Sequence, residues 1–346
     1  MRNSDSAFVD ACLGKETEYT PVWFMRQAGR FLPSYRRIKG DRQMLDVAKD
    51  PALASQVAVD AVQSLGVDAG IVFADIMLPL EAMGVRFRIE EDVGPIVSNP
   101  IRSPGDVSLL RKPEPEADLP YVYDGIEEAI RKLDGRTPLI GFSGAPFTLA
   151  AYMIEGGPSR ELSKTRALMY SDPDTWRPLM RVLTGMIKDY LGSQIRHGVS
   201  AVQLFDSWVG CLSPDDYREF VAPFTKEIFE SVGSVPRIHF CADSSALVEE
   251  FHDTGPEVLS VDWRVPIDQV WERCGGHTSV QGNLDPAAAL AGGTEMEKRV
   301  KDILARAEGR RGHIFSLGHG VLRDTDPENL RRVVELVHVK TRRTGH

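Results

Sequence analysis

Eight short apolar segments bounded by turn residues recur along the chain: Val22–Met25, Gly70–Asp75, Leu139–Ser143, Ala201–Asp206, Arg237–Phe240, Val258–Asp262, Ser279–Asn283 and His313–Leu317. Most are continuous apolar runs, the pattern of parallel strands covered on both faces, rather than alternating ones. Helical patterns lie between them. Asp50-Pro51 opens one that carries Ala54, Val57, Ala61, Val62 and Leu65 and stops near Gly66. Asp172-Pro173 opens a second, with Leu179, Leu183, Met186, Ile187 and Tyr190 on one stripe, ending at Gly198. Ser213-Pro214 and Asp326-Pro327 open two more. In each, a capping side chain precedes a proline in the first turn. Strand and helix alternating in this way predict an α/β protein, a single (β/α)8 TIM barrel. An open doubly wound sheet is the alternative, but no segment is followed by the G-x-G-x-x-G turn. Val85–Pro120 is too long and too rich in proline and glycine for one crossover helix. It reads as an excursion over the barrel after the second strand, which leaves residues 1–346 as a single domain.

A barrel makes position meaningful, because the loops after the strands build the active face. Asp75 ends the second predicted strand, Ser207 follows the fourth and His319 follows the eighth. Arg26 to Arg30 follow the first.

Composition narrows the classes. No apolar run approaches the roughly 18 residues of a membrane span, and Met1 to Glu16 mixes charges without an apolar stretch, so a cytoplasmic protein is expected. Cys12, Cys211, Cys241 and Cys274 are scattered and suggest no disulfide framework. A net charge of −9 without a basic tail argues against nucleic acid and anionic membrane as partners. Against that background, Arg26, Arg30, Arg36, Arg37, Lys39 and Arg42 form a positive island interrupted only by Asp41. The island predicts an anionic ligand, with a solvated helix face as the plainer alternative. There is no P-loop, H-E-x-x-H or G-x-S-x-G. His239 and Cys241 alternate on a strand and could converge on zinc. Cys274 lies before the seventh predicted strand, at the wrong end to complete the set, so no metal is expected.

The run Pro21-Val22-Trp23-Phe24-Met25-Arg26-Gln27-Ala28-Gly29-Arg30-Phe31-Leu32-Pro33-Ser34-Tyr35 resembles the N-terminal signature of uroporphyrinogen decarboxylases. The resemblance continues through Phe73-Ala74-Asp75-Ile76, Gly141 to Thr148, Tyr152 to Gly157, Gln203 to Trp208, Gln281 to Pro286 and Leu317 to Gly320, in the family's order. It implies a single barrel, a homodimer, no cofactor, and removal of carbon dioxide from the acetate arms of a cyclic tetrapyrrole. It also implies a substrate site of Arg26, Gln27, Ala28, Gly29, Arg30, Asp75, Tyr152, Ser207 and His319. Arg26 and Arg30 would face the substrate carboxylates, with Asp75 at the centre of the macrocycle. Asp75, Arg26 and Arg30 would be the catalytic groups. The proton donor stays open between an arginine and an ordered water. Cys241-Ala242-Asp243-Ser244-Ser245 departs from the family's usual glycine-rich loop.

Two rivals remain. A zinc-dependent, corrinoid-linked methyltransferase of the same superfamily would use His239 and Cys241, but such relatives lack the R-Q-A-G-R block. A non-catalytic tetrapyrrole carrier would need the pocket but not Asp75. The missing third soft ligand predicts activity that survives chelation. Stoichiometric zinc by elemental analysis, with activity lost to a chelator, would reverse that expectation.

Overall fold

The four predicted helix starts form as the sequence pattern requires. Asp50 accepts the Leu53 N–H at 3.0 Å and opens Pro51–Leu65, which ends on Gly66 at φ +71. Asp172 caps Pro173–Arg196, Ser213 caps Pro214–Phe220 and Asp326 caps Pro327–Thr341. Proline costs nothing in the first turn, where its missing N–H would have had no partner. The computed structural model describes residues 6–90, 93–243 and 245–343; residues 1–5, 91, 92, 244 and 344–346 lie outside it.

The strands are β1 (Gly70–Ile71), β2 (Phe87–Glu90), β3 (Gly94–Val97), β4 (Leu139–Gly144), β5 (Ala201–Asp206), β6 (Arg237–Cys241), β7 (Val258–Ser260), β8 (Ser279–Leu284) and β9 (His313–Leu317). Seven of them form one sheet in the order β1-β4-β5-β6-β7-β8-β9, with every pair parallel. The sheet is curled. Gln281 of β8 donates to Gln203 of β5 at 3.2 Å although two strands lie between them. Trp23 Nε1 donates to the same Gln281 at 2.7 Å. The antiparallel pair β2–β3 occupies the predicted excursion, and Val97 N–H donates to Gly156 O at 2.9 Å. Among the described residues, no helix is long and apolar enough to cross a membrane.

Two predicted strands are corrected. Val22–Met25 is reduced to a single parallel bridge, Val22 to Phe315. The Phe24 N–H turns to Gln27 Oε1 at 3.0 Å, so the chain leaves the extended form one residue later. Even so, Phe315 N–H donates to Pro21 O at 2.8 Å and Asp68 N–H to Val22 O at 2.8 Å. The segment therefore bonds to both β9 and the approach to β1. Gly70–Asp75 shrinks to Gly70–Ile71 plus one bond, Val72 N–H to Ile140 O at 3.0 Å. Asp75 ends it by accepting the Met77 N–H at 2.8 Å, a local Asx turn.

This early stop has a consequence in β4. Ile140 directs its carbonyl toward β1, so Phe142, two residues on, directs its backbone to the same side, beyond the end of β1. Gln194 fills the gap, accepting the Phe142 N–H at 2.8 Å and donating to Phe142 O at 2.9 Å. Gly141 leaves room for that amide, since a Cβ there would lie 2.4 Å from Gln194 Oε1. Gly141→Ala is expected to expel the amide and strand two buried backbone groups, at a cost of roughly 2–4 kcal/mol. Urea unfolding would measure it, and an unshifted midpoint would refute it.

Candidate active site

Asp75 lies four residues beyond β1, Tyr152 on Pro146–Glu155 after β4, Ser207 directly after β5 and His319 two residues after β9. Arg26 follows the Val22 bridge. All five stand at the same end of the sheet, because parallel strands present their C-terminal ends together.

Arg26 joins them. Its backbone is left-handed at φ +60, a conformation that costs a side-chain-bearing residue about 1 kcal/mol. Two contacts hold it there. Gln27 is wholly buried, and its amide takes the Phe24 N–H and donates to Ala69 O at 3.0 Å. Val321 N–H donates to Met25 O at 2.9 Å, tying the turn to the loop after β9. The Arg26 side chain lies across Gly320, where a Cβ would sit 2.4 Å from its Cδ. Ala28 and Gly29 are half-buried in the turn, and a Cβ at Gly29 would come within 2.9 Å of Arg26 O. Arg30 is half-buried too, and its carbonyl accepts from the Arg36 guanidinium at 2.9 Å.

The titratable groups register one another. Burial pushes the Asp75 carboxyl up, against the Met77 N–H and the Arg26 charge. Burial also raises the Tyr152 phenol, opposed first by a hydrogen bond with the Trp208 side chain, while Asp75 adds to the rise and Arg26 opposes it. His319 is pushed down to about 4, first by burial and then by Arg26. Its ring stands edge-on to Phe240 at 5.7 Å, and near neutral pH it is an uncharged imidazole. One guanidinium thus acts on a carboxyl and an imidazole from two other loops and on a phenol from a helix.

Ser207 is half-buried, and the turn that carries it is fastened by a residue that sequence reasoning left without a role. Thr148 Oγ1 donates to Asp206 Oδ1 at 2.8 Å and accepts the Trp208 N–H at 3.4 Å. Thr148 is one helical turn from Tyr152, whose ring meets Trp208 edge-on at 6.0 Å. The i, i+4 spacing of Thr148 and Tyr152 was visible beforehand, but the partner on β5 was not.

His239 and Cys241 do not face the mouth as a ligand pair. His239 is wholly buried, edge-on to Phe229 at 5.4 Å and Phe251 at 4.7 Å on the outer helices. Its Nε2 lies 3.7 Å from Asp206 Oδ2. Among the described residues, no three His, Cys, Asp or Glu side chains are grouped to hold a metal.

The arrangement suits an anionic ligand gripped by arginine, with a recessed carboxylate able to face a developing cation. Residues 3–339 match the family described as uroporphyrinogen decarboxylase (URO-D). The chain is 49% identical over 339 residues to a uroporphyrinogen decarboxylase of Thermobifida fusca, covering 97% of this chain and 93% of that one. It is 48% identical over 341 residues to a uroporphyrinogen decarboxylase of Streptomyces coelicolor, covering 98% and 96%. In fold it is similar to a methyltransferase from Methanosarcina mazei, with TM-score 0.80, 18% identity and coverage of 95% and 96%.

Gly320→Ala is expected to displace Arg26 without harming the core, because the clash is with a side chain that can swing into solvent. A fall of about tenfold in kcat/KM, or roughly 1.4 kcal/mol, with Tm nearly unchanged would fit. Wild-type kinetics would show that the seat on Gly320 is unimportant.

Proposed function

The chain belongs to the uroporphyrinogen decarboxylase family, and from that premise we propose how this site removes carbon dioxide from the four acetate arms of uroporphyrinogen III to give coproporphyrinogen III. The enzyme is a carboxy-lyase of porphyrin biosynthesis. The substrate carries four propionates besides its acetates. Arg26 and Arg30 grip these carboxylates through planar forks, and the positive island behind them offsets the remaining charge. The pyrrole N–H groups turn inward to Asp75, whose ionised oxygens accept them.

The pyrrole is its own electron sink. A proton added to the ring carbon bearing the acetate makes a cationic, iminium-like ring. The bond to the carboxylate carbon then breaks, carbon dioxide leaves, and the electron pair neutralises the ring as an exocyclic methylene. Protonation of that carbon gives the methyl group, and loss of the ring proton restores the pyrrole, so each decarboxylation consumes one proton. Asp75 stabilises the cation. Neutral His319, the Tyr152 phenol and the Ser207 hydroxyl line the macrocycle's rim. Gln27 acts from below by holding the Arg26 turn.

The observation that carries this reading is the seat of Arg26, on a strained turn against Gly320, at the end of the sheet where Asp75, Tyr152 and His319 also stand. We take the segment at Val22 as the eighth position of a (β/α)8 barrel with one excursion, and residues 1–346 as one domain. The bonds of Pro21 and Val22 to Phe315 and Asp68 support that closure.

Anaerobic incubation with uroporphyrinogen should yield carbon dioxide and coproporphyrinogen, whereas a binding protein would return the substrate intact. Asp75→Asn keeps the size but turns an amide N–H₂ toward the pyrrole donors, and kcat should fall by about a hundredfold or more, the scale of losing a preorganised electrostatic group. A folded Asp75→Asn enzyme turning over at the wild-type rate would leave the cation without its partner. Because burial raises the Asp75 carboxyl and the ionised form is the active one, activity should fall on acidification at a higher pH than for an ordinary aspartate. A pH profile of kcat/KM reads this limb. Arg26→Lys and Arg30→Lys keep the charge but lose the fork, so each should cost about tenfold in kcat/KM. Wild-type kinetics in both would reduce the pair to an electrostatic lure.

A further inference from the structure

A second arginine stands at the mouth with two aspartates around it. Asp262, two residues beyond β7, is buried and accepts three donors: the Asp243 N–H at 2.7 Å, the Arg264 N–H at 2.9 Å and Arg264 Nη1 at 2.7 Å. The other end of the guanidinium, Nη2, meets Asp243 Oδ1 at 2.8 Å. Its carbon lies 4.3 Å from the centroid of the Trp263 ring. Gly318, beside His319, packs on the backbone of Asp262 and Trp263, where a Cβ would lie 2.6 Å from the Trp263 nitrogen, so the Arg264–Asp243 pair borders the site described above; Arg264 and Asp243 also act electrostatically on His319.

The two acids are not equivalent. The Asp262 side chain is 1% exposed, whereas that of Asp243 is 64% exposed and that of Arg264 44%. The Asp243 backbone is pinned, with φ +54 and its N–H on Asp262. Gly210 packs against the same turn, where a Cβ would lie 2.6 Å from Asp243 O. The Asp243 side chain can therefore rotate away from Arg264 while the chain stays still. Two carboxylates on one guanidinium leave a surplus negative charge, which an approaching anion meets as repulsion. The positive island lies beside the Val22 segment, between β9 and β1, while Arg264 follows β7. A macrocycle with carboxylates around its whole rim needs a grip on that second side.

We propose that Asp243 is a resident stand-in for a substrate carboxylate: it occupies the Nη2 edge of Arg264, and an acetate or propionate of the substrate replaces it on binding. This rests on the decarboxylase reading above. Asp262 keeps the guanidinium oriented throughout and Trp263 supports its face, so the exchange swaps one carboxylate for another. Asp243 thereby sets a threshold that a ligand with a single weakly placed carboxylate does not pass.

The test is steady-state kinetics with uroporphyrinogen under anaerobic conditions for wild type, Asp243→Asn, Arg264→Gln and the double variant, each checked by circular dichroism. Asparagine keeps the size and tolerates the left-handed backbone. Asp243→Asn should lower KM by about threefold, and Arg264→Gln should raise it by about tenfold, the scale of one charge-assisted hydrogen bond. The double variant should match Arg264→Gln, since the stand-in acts only through that arginine. A purely structural Asp243 would instead lower the melting temperature and leave KM unchanged or raised, and that result overturns the proposal. So does an Arg264→Gln enzyme with the wild-type KM. If Arg264→Gln does not fold, Asp243→Asn decides alone. Failure of the wild type to release carbon dioxide sinks the decarboxylase reading itself, and turnover with an unmoved KM in the variants sinks only the stand-in.

Discussion

Everything at the mouth depends on a short seam in which Pro21 and Val22 bond to Phe315 on one side and Asp68 on the other. It is too short to count as a strand, and side chains secure it. Asp68 accepts the Val22 N–H at 2.7 Å and the Tyr19 hydroxyl at 3.1 Å, and meets His338 Nε2 at 2.8 Å. One carboxylate thus ties the N-terminal segment, the approach to β1 and the last helix. Behind the seam, Trp23 donates to Gln281 and Gln281 donates to Gln203, so buried polar groups cross-link the interior. Move the seam and Arg26 no longer shares a mouth with Asp75 and His319.

The price of that arrangement is local strain and lost side chains. Arg26 sits at φ +60, and Gly320 has no side chain so that the arginine can lie on it. Gly318 is equally constrained, since a Cβ there would come within 2.6 Å of the Trp263 N–H nitrogen. The loop after β9 therefore carries His319 between two glycines required for clearance. Such positions contribute nothing to a hydrophobic core, and they persist because the chain around them is over-determined.

The charge pattern follows the same logic. Burial is the largest cause both of the rise of Asp75 and of the fall of His319. Arg26 opposes the first shift and adds to the second, so an acidic carboxyl and an uncharged imidazole coexist near one guanidinium. At the next sector Asp262 and Arg264 repeat the theme with a buried acid as anchor.

Periodicity determined the helix starts at Asp50, Asp172, Ser213 and Asp326, because caps and first-turn prolines act within four residues. Apolar runs likewise determined β4, β5, β8 and β9 to within a residue or so. Local pattern also singled out the arginine island and the glycines around His319. It overstated Val22–Met25 and Gly70–Asp75, since where a strand stops depends on competing partners, Gln27 for Phe24 and Met77 for Asp75, that no apolar pattern encodes. Only the tertiary structure decided that His239 faces Phe229 and Phe251 instead of the mouth, that Thr148 fastens the turn of Ser207, and that Asp243 and Asp262 share Arg264. Each of these joins residues from different strands or helices, and the direction of a side chain across a curled sheet is set by packing between layers, not by neighbours in the chain.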